Sequence, residues 1–294
     1  MRLKILLIIL VSILFATPVS STVLFYEDFE DALDFNTRWT LGLDHGTHEL
    51  STEQVRSGSK SYKFSLTHYD DGDYKEGMVA EGFNNGDFHF TIGNEYWIGL
   101  SLFLGDNYPT ANGYMIHTQL HGDPDEFPTC DPTEPWRNPL LTVGSTELGK
   151  WMYSNLWDSA QCTYDSEYEG TYWSTQESFL TGQWNDFVVN VKWSYGVSGF
   201  LKIWKNGVLV IDRTGPNCFH DNEGPYLWIG IYSYHLEQDQ TIIVYYDELR
   251  IGDSESSYAE VVPGGESLLP AVVAISTVSD ITPTTAIAHG SISD

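Results

Sequence analysis

The residues with chemistry to offer gather on one side of a few short, alternating segments. Along 114–121, alternation sets Tyr114, Ile116, Thr118 and Leu120 on an apolar side and Met115, His117, Gln119 and His121 on the other. Two histidines and a glutamine on one side of one strand are an odd choice for a plain solvent face. Along 184–193, Phe187, Val189, Val191 and Trp193 form the inward set and leave Asn190 and Lys192 opposite. Along 226–235, Leu227, Ile229 and Ile231 point inward and leave Tyr226, Trp228, Tyr232 and Tyr234 outward. If these faces belong to one sheet, a single surface carries His117, Gln119, His121, Asn190, Lys192, Trp228, Tyr232 and Tyr234. Aromatic rings there offer platforms for sugar rings, while amide, imidazole and phenol groups bond hydroxyls and carboxylates. The plain alternatives are hydrogen-bonded strand aromatics, a second packing layer under a long loop, and a solvated lysine.

Positioning such side chains falls to an all-β chain. Period-two alternation recurs throughout and helical periodicity is nearly absent. Strands are expected at 23–29, 61–66, 95–104, 114–121, 184–193, 200–204, 208–213, 226–235 and 241–251. Lys205-Asn206-Gly207 reads as a tight hairpin, because Asn-Gly tolerates the positive φ that such turns need. Many strands separated by turn signals indicate a β-sandwich or jelly roll. The stretch 122–182 is long, bears Pro and Trp, and is poorly periodic; loops of that length are usually functional or stapled.

Composition narrows the partners. The 294 residues hold 41 acids against 14 lysines and arginines, for a formal charge of −27. Nucleic acid and anionic membrane are poor partners for such a surface. The start, Met1-Arg2-Leu3-Lys4 followed by the apolar run 5–16 and the small residues Val19-Ser20-Ser21, reads as a secretory signal peptide over 1–21. Residues 22–252 then form one β domain, 253–273 a Ser/Glu/Gly-rich linker, and 274–294 the opening of a fibronectin-type-III-like module too short to be whole. Export makes a disulfide favourable, and Cys130 with Cys162 is the expected pair because both lie in the long loop-rich stretch. Cys218 would then be free or intermolecular. No zinc-type His spacing and no Gly-rich phosphate loop is present, so no cofactor is required. A structural calcium, held by Asp28 or Glu30 with Asp247 between first and last strands, is the one metal expectation.

Several segments then resemble a known family. Trp184-Asn185-Asp186-Phe187-Val188-Val189-Asn190-Val191-Lys192-Trp193-Ser194 is similar to the W-x-D-F-V-V-x-V-K-W-S strand of heparin lyase I-like and glucuronan lyase-like polysaccharide lyases. Gly199-Phe200 to Gly207, Gly215-Pro216, and Gly224-Pro225-Tyr226 to Gly230-Ile231-Tyr232 resemble the same family. So do Gln119-Leu120-His121-Gly122, against the family's Gln-Trp-His-Gly, and Gly93-Asn94-Glu95-Tyr96-Trp97. The likeness runs in order from about Phe25 to Gly252. It implies a concanavalin-like β-jelly roll of two antiparallel sheets, and cleavage of uronate-containing glycans by β-elimination.

By that resemblance Tyr232 is the proton donor and also a candidate base, Gln119 binds the uronate carboxylate, and His121 assists or orients the sugar. One of His45, His48 and His68, with His68 favoured because it sits just ahead of the Glu81 region, would be the base histidine that in the family reaches in from a neighbouring strand. The family's Arg-x-Glu strand aligns most simply with Val79-Ala80-Glu81, losing the Arg, with Lys75-Glu76 as the alternative. Where family members carry Lys four residues before the catalytic Tyr, this chain has Trp228. Fewer cations argue against a densely sulfated substrate and for a glucuronan, an alginate or a mixed neutral and uronic glycan. The expectation is a secreted, monomeric polysaccharide lyase. A non-catalytic carbohydrate-binding module on the same fold is the alternative. A glycoside hydrolase ranks last, because no strand carries the needed alternating carboxylates.

Overall fold

The computed structural model describes residues 23–31, 38–43, 46–68, 74–80, 88–106, 108–109, 114–146, 148–164, 168–233, 236, 240–265, 272–279 and 287–293. The chain divides into two units, Thr22–Leu269 and a second formed by Met1–Ser21 with Pro270–Asp294. The expected signal peptide, Glu81 and Tyr234 lie outside the described residues. In the second unit, β16 (Val272–Ser279) and β17 (Ile287–Ser293) pair as an antiparallel ribbon.

The first unit is a two-sheet β-sandwich. One sheet takes β3 (Gly46–Ser51), β4 (Ser61–Thr67), β15 (Thr241–Gly252), β6 (Glu95–Leu104), β11 (Trp184–Lys192), β12 (Phe200–Lys205) and β13 (Val208–Thr214), in that spatial order. A further strand, β1 (Val23–Glu27), pairs with β15. The other sheet runs β2 (Trp39–Leu43), β5 (Tyr74–Ala80), β14 (Tyr226–Ser233), β7 (Met115–His121), β8 (Leu141–Ser145), β9 (Lys150–Trp157) and β10 (Glu169–Ser178). Every pairing in both sheets is antiparallel. A single helical turn, α1 (Tyr258–Val261), follows β15.

Alternation explains the core. Leu100, Leu102, Val189, Val191 and Ile203 from one sheet and Leu120, Tyr153, Leu227, Ile229 and Ile231 from the other form one buried apolar cluster. Burying each such aliphatic side chain stabilises the fold by roughly 1.5–3 kcal/mol. The expected hairpin is present: Asn206 and Gly207 both take positive φ, 47° and 79°, as a two-residue turn between twisted strands requires. Cys130 and Cys162 form a disulfide, and Cys218 is a buried free thiol. The 122–182 stretch is not the loop its sequence suggests, since it contributes β8, β9 and β10 to the second sheet. Among the described residues no helix is long and apolar enough to cross a membrane.

Candidate active site

β7 and β14 lie side by side, and their register decides which side chains share a face. Trp228 pairs with Gln119, Tyr226 with His121, and Tyr232 with Ile116. Cross-strand partners project to the same side of a sheet. Gln119, His121, Tyr226, Trp228 and Tyr232 therefore share one face, the reverse of the core face that Leu120, Leu227, Ile229 and Ile231 fill. Two rows extend from it across the sheet. Trp228, Gln119, Thr142, Ser154 and Tyr172 are successive partners, and so are Tyr232, Ile116, Gly144, Met152 and Ser174.

His117 does not join them. From Ile116 to Thr118 the chain takes two steps along β7 against three along β14, from Tyr232 to Ile229, and one along β8. This bulge breaks the alternation. Ile116, not His117, faces outward with Gln119, and His117 turns into the core at 0% exposure. Its ring lies 3.0 Å from the Tyr108 hydroxyl and edge-on to Trp151, and burial pushes its pKa down to about 3. At the irregularity the Tyr246 hydroxyl, from the opposite sheet, sits 2.6 Å from the His117 carbonyl and 2.8 Å from that of Gly230. Gly230, the first residue of Gly230-Ile231-Tyr232, has φ 148°, which side-chain-bearing residues rarely adopt.

Asn190 and Lys192 are also placed elsewhere. Both lie on β11, in the other sheet. The Asn190 amide donates to Glu95 Oε1 at 2.9 Å and to the Tyr96 carbonyl at 3.3 Å, and Lys192 pairs with Glu95 in the ladder. Alternation assigns faces within a strand but not the sheet to which the strand belongs. His68 follows β4, again in the other sheet, with Nδ1 2.9 Å from the carbonyl of Leu236 beyond β14. Trp228 keeps its register position, yet at 7% exposure it is a covered ring rather than an open platform.

His121 is held closely. Its Nδ1 lies 2.8 Å from the Gly122 carbonyl, so this nitrogen carries the hydrogen and Nε2 is the acceptor of the neutral ring. Burial is the largest influence on it and pushes its pKa down. The ring stacks on Tyr226 at 5.8 Å and meets Trp136 at 5.6 Å. Trp136, 70% exposed, stands beside a buried lock. Arg137 makes two 2.8 Å bonds to the Asp221 carboxylate and one of 3.3 Å to Glu134. Burial outweighs Arg137 and pushes the Asp221 carboxyl up to about 7. A Cβ on Gly122 would come within 2.6 Å of the Asp221 carboxylate, which accounts for glycine after His121.

Sequence reasoning missed Trp136, which no periodic signal marks, and left Tyr226 out of the site although it lies on the same face of β14 as Tyr232 and Trp228. It also missed a cavity of about 490 Å³ beyond Gln119 and Ile116, lined by Thr142, Met152, Ser154, Tyr172 and Ser174. In the ladder Lys75 stands opposite Tyr232, and Val79 opposite Trp228. The expected calcium ligands are engaged with backbone. Asp28 accepts from Glu30 N, Glu30 from Ser59 N and Lys60 N, and Asp247 from Arg56 N, Ser57 N and Glu248 N.

A solved structure shares this architecture. An endo-β-1,4-glucuronan lyase from the fungus Trichoderma reesei superposes with a TM-score of 0.69 at 17% identity, over 83% of this chain and 99% of that one. An alginate lyase from Aplysia kurodai gives a TM-score of 0.48 at 12% identity, over 70% and 87%. Among curated proteins no sequence matches. The family model described as "Polysaccharide lyase" matches residues 30–250. With that span covering most of the chain and the sandwich carrying its motifs on adjacent strands, the chain belongs to the polysaccharide lyase family.

Proposed function

We propose that this is a secreted lyase that cleaves a uronate-containing glycan by β-elimination at the β7–β14 face. The observation that carries the proposal is the register that sets Gln119, His121 and Tyr232 on one side of two adjacent strands. The Gln119 amide binds the uronate carboxylate and stabilises the negative charge that builds on it as the C5–H bond breaks. Tyr232 serves both ends of the step. Its phenolate takes the C5 proton, the C4–O4 bond breaks as the C4=C5 double bond forms, and the same proton passes to the leaving O4. A phenol titrates ordinarily near 10, so a phenolate needs a cation close by, and Lys75 occupies the ladder position for it. His121, neutral with Nε2 as acceptor, orients a sugar hydroxyl, and Tyr226 and Trp136 flank that ring. Secretion is supported by the basic, apolar and small-residue order of the first 21 residues.

The test is a panel of uronate glycans followed by the absorbance of the unsaturated uronate product. Wild-type protein is expected to generate it, and Tyr232→Phe to lower kcat by about 10²–10⁴-fold while still binding the polymer. New reducing ends without the absorbance would mean hydrolysis, and Tyr232→Phe at wild-type rate would remove Tyr232 from the chemistry.

A further inference from the structure

We infer that the cavity over β7–β10 is the subsite for an uncharged sugar unit beside the uronate, so that the substrate is a glycan in which uronate and neutral residues are neighbours. The inference rests on the reading of Gln119 and Tyr232 as the uronate-processing groups and specifies what lies next to that uronate.

Continuity is the first argument. Gln119 leads by direct cross-strand pairing to Thr142, Ser154 and Tyr172, and Tyr232 leads through Ile116 and Gly144 to Met152 and Ser174. A chain lying across these strands with its uronate at Gln119 places its next unit over the cavity. The second argument is charge. None of the described residues lining the cavity is Lys, Arg, Asp, Glu or His. A carboxylate seated there would lose hydration without gaining a cationic partner, in a chain whose formal charge is already −27. Thr142 and Ser154 moreover bond each other at 2.6 Å, which occupies part of the polar capacity of the floor.

The third argument is complementarity. Ile116 and Met152 present apolar surface, Tyr172 is a 62% exposed ring at the edge, and the polar side-chain groups of the lining are the hydroxyls of Thr142, Thr146, Ser154, Ser174 and the tyrosines together with the uncharged amide of Asn138. The C–H face of a sugar packs against such apolar and aromatic surface, and its hydroxyls exchange hydrogen bonds with serine and threonine. A site built this way selects against a charged unit as well as for a neutral one.

The experiment compares an alternating uronate–neutral glycan with a uronate homopolymer on the full-length protein, through kcat/KM for unsaturated-uronate formation and through calorimetric binding to Tyr232→Phe. The alternating glycan is expected to be preferred by about tenfold or more in both readouts, since an unpaired charge is the costly outcome. Ser174→Lys puts a cation at an exposed edge of the cavity without disturbing the core. It should shift the preference toward the homopolymer by up to about fivefold at an unchanged melting temperature. Equal or tighter binding of the homopolymer by Tyr232→Phe overturns the inference, as does a preference that Ser174→Lys leaves unmoved. If neither polymer is cleaved, the elimination chemistry fails, while the binding comparison still decides the identity of the neighbouring unit.

Discussion

His117 lies fully buried between Tyr108 and Trp151, where a protonated ring would have no water. With its pKa at about 3, against 6.5 in the unfolded chain, it stays neutral in the folded protein through the ordinary pH range. Below pH about 6.5 the unfolded chain takes up a proton that the folded chain refuses until pH about 3. Stability is therefore lost as pH falls through this window, by up to about 1.4 kcal/mol per unit. Asp221 and Asp247 act in the opposite sense. Burial raises both to about 7 from 3.8, so their ionisation opposes folding as pH rises from about 3.8 towards 7. The wild-type profile mixes these contributions, and a substitution separates them. His117→Gln removes the titration, so the difference in Tm should move in the variant's favour as pH drops from 6.5 to 4.5. A difference that stays constant with pH would show that His117 titrates alike in both states.

Elements explain both what the sequence revealed and what it hid. β6, β11 and β14 were legible because apolar core residues recur at every second position, as at Ile98, Leu100, Leu102 and Leu104 or at Leu227, Ile229 and Ile231, and the Asn206-Gly207 turn was legible because its backbone demands those residues. β8, β9 and β10 were not. On β9, Trp151 and Tyr153 fill the core while Met152 and Ser154 floor the cavity, so apolar residues fall on both faces and the period-two contrast disappears. His117 was misplaced for a related reason, since a bulge changes the face without changing the residue pattern. Gln119, His121 and Tyr232 were singled out by alternation and by the family motifs, whereas only the ladder could show that Asn190 and Lys192 stand in the other sheet. The segment between β7 and β8 is held in turn by the disulfide and by Arg137. Removing that cation leaves Glu134 and Asp221 buried with nothing to balance them. Arg137→Ala should cost about 3–5 kcal/mol in stability, read as a lowered denaturation midpoint. It should also raise KM more than it lowers kcat, because Trp136 loses its anchor while Tyr232 keeps its strand. A variant with wild-type stability would show that the network contributes no net energy.

At the scale of the whole molecule, the proposed function requires a strongly acidic lyase to bring an acidic polymer onto its surface. The groove gives up little of that repulsion locally, because His121 is neutral and the described cavity lining carries no charge. What remains is long-ranged and therefore open to screening. At about 0.01 M salt the Debye length is roughly 30 Å, so most of the −27 acts on the approaching chain; at about 1 M it is roughly 3 Å, and only contacts within the groove survive. Added salt should therefore raise kcat/KM on a uronate glycan, chiefly through KM, before the loss of direct contacts to the carboxylate lowers it again. The turnover step, shielded within the bound complex, should respond much less. The measurement is initial rate against substrate concentration from about 0.01 to 1 M sodium chloride, with ionic strength as the only variable. A steady decline from the lowest salt would mean that attraction at the groove outweighs the field of the whole surface. The positive charge responsible would then have to be sought at Lys75, the cation opposite Tyr232 in the ladder.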